Sequence, residues 1–417
     1  MKKFAFCILS LTIFTLTAFA ADSRELPANY LSSKHPLHVN PAGGRHGIKG
    51  NIPTPHGFPV GVDTLVNFTG HFQAPGIFFD GTSHNMWEYS MVGNKPAQGG
   101  TTTINAPVVP VTIDMRNSDG SPAFAPNGTR LISKPDPFLQ NFMNGPVFGS
   151  STYSSSPTAT QITDAIQRAE FNNVEAPSWH TMLAPSVKTG QTMVLTSDYF
   201  YALNDDGTCC LFVLVLDPTF TSKLFPPSTP DNTTVIGASE VAGDITTKDM
   251  STFFFPNTYL FEPDGTCCVL GFHSFDFEAG DPTNGNQTRF FVMNYSSWIS
   301  PGLFGGGFED VTAHSHEIAE TFNDPFVGFD GIHNVTPFWL INGECADIME
   351  VGDVIEVLDN ATFPVTIGGF TYHPQNEALL PWFEFQKNSS AIDGAYSYPD
   401  ETLLTSPSAP QPFNCGF

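Results

Sequence analysis

Basic residues are scarce in this chain. Lysine and arginine together number 16 against 41 aspartates and glutamates, for a formal net charge of −25. So acidic a surface repels phosphate backbones and anionic headgroups, which argues against nucleic acid and membrane surfaces as partners. It is compatible with binding cations. Long apolar runs are also missing beyond the N-terminus. The run that is there, in MKKFAFCILSLTIFTLTAFA, follows two lysines and ends on small residues at Ala18–Ala20. It falls short of the roughly 20 apolar residues that span a bilayer. Residues 1–20 therefore read as a secretory signal peptide. The expectation is a secreted or periplasmic protein with no membrane span once the signal is removed.

Several catalytic signatures are lacking. There is no G-x-S-x-G elbow, no P-loop, and no G-x-G-x-x-G between a strand and a helix. Nothing therefore points to a serine nucleophile or a nucleotide cradle. The glycine-rich GLFGGGFED is not followed by Lys-Ser/Thr and reads as a flexible loop.

C-x-x-C is absent too. With Cys7 lost in the signal, six cysteines remain: Cys209, Cys210, Cys267, Cys268, Cys345 and Cys415. An even number in an exported chain suggests disulfides. Four of them form two vicinal pairs in an internal repeat, YALNDDGTCCLFVLVLD from Tyr201 and YLFEPDGTCCVLGFHSFD from Tyr259. Each copy reads as a hairpin, with Asp-Gly between two apolar runs. Adjacent cysteines on a strand point to opposite faces. One cysteine of each pair is then expected to bridge to its counterpart if the hairpins are neighbours, leaving Cys345 and Cys415 for the others. The connectivity stays open.

Phenylalanine, glycine and proline are plentiful (39, 36 and 35 residues), a mix that suits a β-rich exported protein with many turns. Residues 21–60 read as a Pro/Gly/His-rich lead-in or pro-segment. Its histidines (His35, His38, His46, His56) have no element to fix their geometry, so a polar linker is the plainer reading. Residues 61–417 read as a single large α+β globular domain, or two intimate lobes with a boundary near residue 300. Strands are expected in segments such as 63–72, 76–81, 105–115, 192–203, 288–298, 353–358 and 363–373, predominantly antiparallel. One helix is expected within 158–173, capped by Thr158 or Thr160.

A second helix lies in EDVTAHSHEIAETFNDPF, residues 309–326, and ends before Pro325. At about 100° per residue, Val311, Ser315, Ile318, Ala319 and Phe322 fill one arc, and His316 and Glu320 project together from the other, one turn apart. Glu317 lies beside them. Two ligands at i and i+4 with a general base at i+1 is the physical logic of H-E-x-x-H zinc sites. His314 falls about 160° from His316 and reads as a packing histidine, a group behind the ligands, or a ligand only if the helix starts later. Glu309 and Asp310 are expected to cap the helix, and Asp324 to fix its end.

The stretch HEIAE resembles the metal-binding helix of zincin metallopeptidases, over this one helix and a downstream segment. A metzincin would need glycine and histidine where Asn323 and Phe326 stand. The resemblance is therefore to the gluzincin, thermolysin-like branch, with H-E-x-x-E in place of H-E-x-x-H. It implies Glu317 as the catalytic base and His316, Glu320 and Glu344 as metal ligands. Asp347 would stand behind Glu344 or substitute for it. The segment NGECADIMEVGD has Glu-x-x-Asp where that branch has Glu-x-x-x-Asp. Zinc is the implied cofactor. With one histidine and two carboxylates the ligand set is hard enough to admit manganese, iron or calcium.

Three other histidines stand out. His273, in LGFHSFDF, replaces an apolar residue of the first repeat and could line a site, although a hydrogen-bonded core histidine is the plainer reading. The same holds for His180 and His373. Two functions are thus expected. The first is an exported metal-dependent hydrolase, a zincin-like peptidase acting on peptide or protein substrates. The alternative is a non-catalytic secreted binding or structural protein on a disulfide-braced β scaffold.

Overall fold

Two apolar runs lack the in–out alternation of a half-solvated strand: VVPVTIDM and STFFFP. Strands buried on both faces have that composition. The structure is a computed structural model. It describes residues 24–34, 62–72, 87–155, 158–203, 211–226, 231–278, 282, 285–305, 307–327, 338–339, 345–346 and 349–408. The two runs form β1 (Thr101–Met115) and β6 (Ser251–Pro256), at the centre of an eight-stranded mixed sheet.

The elements that matter to the site follow in order. After β1 come α1 (Asp136–Asn144), α2 (Ile162–Glu170), β2 (His180–Val187), β3 (Gln191–Leu195), β4 (Tyr199–Ala202) and β5 (Phe212–Leu216). Beyond β6 lie β7 (Thr258–Phe261), β8 (Cys267–Val269), β9 (Gly271–Glu278), β10 (Thr288–Trp298), α3 (Thr312–Asn323) and the one-turn α4 (Asp353–Glu356).

The α+β expectation is met. Within the large sheet, β1, β6 and β10 pair in parallel, with Thr252 beside Val108 and Phe253 beside Tyr295. β2 and β3 also run parallel to β1. Antiparallel pairing appears where β9 folds back on β10, with His273 opposite Asn294. Alternate residues of β6 serve two cores. Phe253 and Phe255 join Tyr295, Phe272 and Val213 on one side, while Phe254 joins Phe142, Ile318 and Phe322 on the other. Each such ring, removed from water, contributes about 2 kcal/mol.

The repeat folds as two hairpins. β4 pairs antiparallel with β5, and β7 with β8. β5 and β7 pair in parallel, so the hairpins are neighbours in one four-stranded sheet. The expected bridge between them is replaced at one end. Cys267 is bonded to Cys268, the two Cα atoms standing 3.1 Å apart across a cis peptide bond. A closed vicinal pair has no sulfur left for the other hairpin. Cys209, Cys210, Cys415 and the side chain of Cys345 lie outside the described residues, as do the segment 76–81 and the four lead-in histidines.

Two local expectations are corrected. α2 begins at Ile162 after Gln161, and neither Thr158 nor Thr160 caps it. The Thr160 hydroxyl instead donates to Asp164 Oδ2. The segment expected to be a strand at 353–358 opens as α4, where the backbone N–H groups of Gly352 and Asp353 meet a carboxylate described below. Among the described residues no helix is long and apolar enough to cross a membrane.

Candidate metal centre

α3 packs on β9 and β10. Ile318, Ala319 and Phe322 supply the apolar contact, and the helix stops at Asn323, ahead of Asp324 and Pro325. All twelve of its residues are buried. The polar side carrying His316, Glu317 and Glu320 thus faces a cavity inside the protein. Glu309 and Asp310 do not cap α3. Asp310 takes φ +46°, its Oδ1 accepts from the N–H groups of Val311 and His373, and its Oδ2 lies 2.8 Å from His373 Nδ1.

His316 and Glu320 converge as their spacing implies, with Nε2 3.1 Å from Oε1. Asp353, at the start of α4, brings Oδ1 to 3.5 Å from the same nitrogen. The other ring nitrogen, Nδ1, lies 3.2 Å from Gln375 Oε1. That amide oxygen is an acceptor, so the network assigns the proton to Nδ1 and turns Nε2 toward the carboxylates. Gln375 is itself held, donating from Nε2 to the Gly352 carbonyl. Glu320 Oε1 also accepts from the backbone N–H groups of Gly352 and Asp353, at 3.0 and 3.3 Å. The start of α4 is thereby pinned to α3.

A second convergence shares Glu320. His273 on β9 points Nδ1 at Glu320 Oε2 (3.3 Å), Glu317 Oε2 (3.7 Å) and Glu350 Oε2 (3.8 Å). The last two are too long for hydrogen bonds. Among the described residues, His273 Nε2, Glu317 Oε2 and Glu350 Oε1 are buried without a hydrogen-bond partner.

Two glycines make room for these groups. A Cβ on Gly352 would stand 2.6 Å from His316 Nδ1, and one on Gly271 would stand 2.6 Å from Glu317 Cγ. The cavity has about 30 Å³ of free space and is walled also by Leu270, Phe272 and Phe308. A water needs roughly 10–15 Å³ on the same measure, so there is space for about two water-sized species.

Burial disfavours charge on both histidines, but the carboxylates prevail. Glu320 and Asp353 hold His316 well above the usual histidine range. Glu317 and Glu320 raise His273 to about 10. Burial would raise Glu320 too, yet the two histidines hold it well below the carboxylate range. Glu317 is pushed up to about 7 by burial, partly offset by His273 and His316. Burial and the neighbouring Glu320 and Asp353 push Glu350 well up.

The donor set fits a divalent cation. Oxygen and nitrogen donors on a tetrahedral zinc ion, bonded at about 2.0–2.1 Å, stand about 3.4 Å from one another. The His316–Glu320, His316–Asp353 and His273–Glu320 distances of 3.1, 3.5 and 3.3 Å bracket that edge. His316, Glu320 and Asp353 form one group whose donor atoms lie within 4.8 Å of one another, and His273, Glu320 and Glu350 form another. Glu309, Asp310 and His373 form a third, less buried group, but there His373 is already engaged with both carboxylates.

Of the residues singled out in the sequence, His316, Glu317 and Glu320 line the cavity together. Glu344 and Asp347 lie outside the described residues. His314 turns away. Its ring stacks on Phe142 at 4.1 Å and lies 5.1 Å from Phe148, and burial pushes it down to about 3. A ring so placed packs the helix against α1 and is no ligand to this cavity. His180 is held by Asp164 and Arg168, as a satisfied histidine would be. His273 lines the same cavity, and its signal was the loss of an apolar residue between the two repeats. Glu350, Asp353 and Gln375 were missed. The acidic run MEVGDVIE carried a faint signal, obscured by its β-branched residues. Comparison with protein-family models, curated proteins and solved structures finds no match to this chain.

Proposed function

We propose that this chain is an exported metal-dependent hydrolase of zincin type, acting on peptide bonds. The observation that carries the reading is the buried convergence of His316, Glu320 and Asp353 beside a Glu317 carboxylate oxygen that accepts no hydrogen bond among the described residues. Carboxylates brought this close repel one another, and burial makes the cost several kcal/mol unless a cation or proton compensates. His316, Glu320 and Asp353 would hold the ion, with Gln375 orienting the imidazole. A divalent cation bound there supplies Lewis-acid polarisation of the scissile carbonyl.

Glu317 is the base in this reading. Its carboxyl lies near neutral pKa, as proton transfer at neutral pH requires. It takes a proton from water as the water oxygen bonds to the carbonyl carbon. The C–N bond then breaks, and the proton passes to the departing amine nitrogen. Glu317→Gln should lower hydrolysis of a denatured protein substrate by roughly a hundredfold or more while retaining the metal. Unchanged hydrolysis in that variant would overturn the assignment.

One observation favours a second reading. Free space of about 30 Å³ accommodates ions and water but no peptide. A metal that only braces α3 against α4 would give bound ion, no hydrolysis in the native chain, and a lower melting temperature after chelation.

A further inference from the structure

We propose that the cavity holds two divalent cations bridged by Glu320, the second ligated by His273 and Glu350. This rests on the reading of α3 as a metal-binding helix and specifies its nuclearity. The two oxygens of Glu320 face different partners. Oε1 lies 3.1 Å from His316 Nε2, and Oε2 lies 3.3 Å from His273 Nδ1. A carboxylate that offers one oxygen to each of two donor groups has the form of a bridging ligand. Centres in which carboxylates and histidines on facing elements hold a metal pair are built this way.

Charge supports the same count. Glu317, Glu320, Glu350, Asp353 and Glu356 all line this cavity with only His273 and His316 opposite them. With all five carboxyls ionised, as ligation and a nearby cation favour, one divalent ion beside neutral histidines leaves an excess of negative charge in a buried space, and two ions nearly cancel it. Two carboxylate oxygens on the second side, Glu350 Oε1 and Glu317 Oε2, accept no hydrogen bond among the described residues, and their residues are 2% and 5% exposed. Nearly all buried polar groups in folded proteins have a partner, so these two oxygens mark where a ligand is wanted. The free space suits two small ions. With nitrogen and oxygen donors and no sulfur, the fitting class is a first-row divalent ion such as zinc or manganese.

The test is metal stoichiometry on the full mature chain. Protein stripped with a chelator is titrated with manganese(II) chloride, and bound metal is counted after desalting. In parallel, the paramagnetic resonance spectrum is recorded at one and two equivalents. Two equivalents are expected, with the second quenching the isolated-ion signal by exchange coupling. His273→Ala should retain one equivalent and the uncoupled signal, with circular dichroism confirming that it folds. Should His273→Ala not fold, the native chain still decides by its own stoichiometry and spectrum. One equivalent in the native chain, or two without coupling, overturns the bridged pair and leaves the single-ion reading standing. No bound metal overturns both.

Discussion

The α-carbon of Gly352 faces the ring of His316 so closely that a methyl group there would stand 2.6 Å from Nδ1 and 2.7 Å from Cε1. The absent side chain is a condition for the imidazole to occupy its place. Gly352→Ala must displace the ring or the loop. The expected result is a loss of stability of about 1–3 kcal/mol, the usual range for overpacking, with metal affinity at least tenfold weaker. Thermal melting and a metal titration read the two effects separately. Unchanged affinity would show that the ring's position does not matter to binding.

Gly271 does the same for Glu317, with the Tyr295 carbonyl also only 2.9 Å from the missing Cβ. Gly271→Ala should therefore reduce hydrolysis more than metal content. A variant that loses metal and activity in parallel would place Glu317 among the ligands and remove it as the base.

His314 offers the opposite test. Both ring nitrogens are buried among phenylalanines with no hydrogen-bond partner among the described residues. His314→Phe should keep full metal content and leave stability unchanged or raise it by about 1 kcal/mol, since unsatisfied buried nitrogens are removed. Loss of metal in a folded variant would contradict its assignment to packing.

Proton competition sets the pH dependence of metal binding. Without metal, the carboxylates favour imidazolium at His273 and His316, and a metal ion must displace those protons. Apparent affinity should rise with pH between about 6 and 8, by up to tenfold per unit for each proton released. The metal-free stability runs the other way. The folded pKa of His273, about 10, exceeds its ordinary 6.5. Its stabilising contribution is complete below about 6.5 and is lost as pH rises through about 10. Isothermal titration in buffers of different ionisation enthalpy counts the released protons. A pH-independent affinity would exclude both histidines as ligands.

Glu384 provides a pH effect away from the centre. It lines a second cavity together with Glu170, and burial, partly offset by a hydrogen bond from Gln386, pushes it from 4.5 up to about 7. In that window the unfolded chain releases its proton before the folded one does. Stability therefore falls as pH rises from about 4.5 to about 7, by up to about 3 kcal/mol, and levels off above. Glu384→Gln should flatten that slope in denaturant titrations, and an unchanged slope would place the titration elsewhere.

The helix and the convergence of His316 and Glu320 were readable because a four-residue spacing is enough to put the two on one side. That spacing says nothing of what the side faces, and the polar arc turned out to be buried. His273 was visible only as a histidine replacing an apolar residue of the repeat. Its direction depends on the antiparallel return of β9 along β10. Asp353 was hidden because DVIEVL has the β-branched composition of a strand. The turn of helix there forms where Val354 and Ile355 reach the core and Glu320 receives two backbone N–H groups. The parallel pairing of β1, β6 and β10 was equally hidden, since a strand buried on both faces has the same composition whichever way its neighbour runs.

The pinning of α4 by Glu320 bears on when the proposed ion could enter. The proposed ligands and their support come from β9, α3, α4 and Gln375, far apart in the chain and brought together only by the finished tertiary structure. No stretch released early in synthesis contains enough of the set to capture a cation. If the proposed centre forms, its ion is accordingly decided by what is available in the compartment where the chain completes its folding, and a change of compartment would change the metal without any change of sequence.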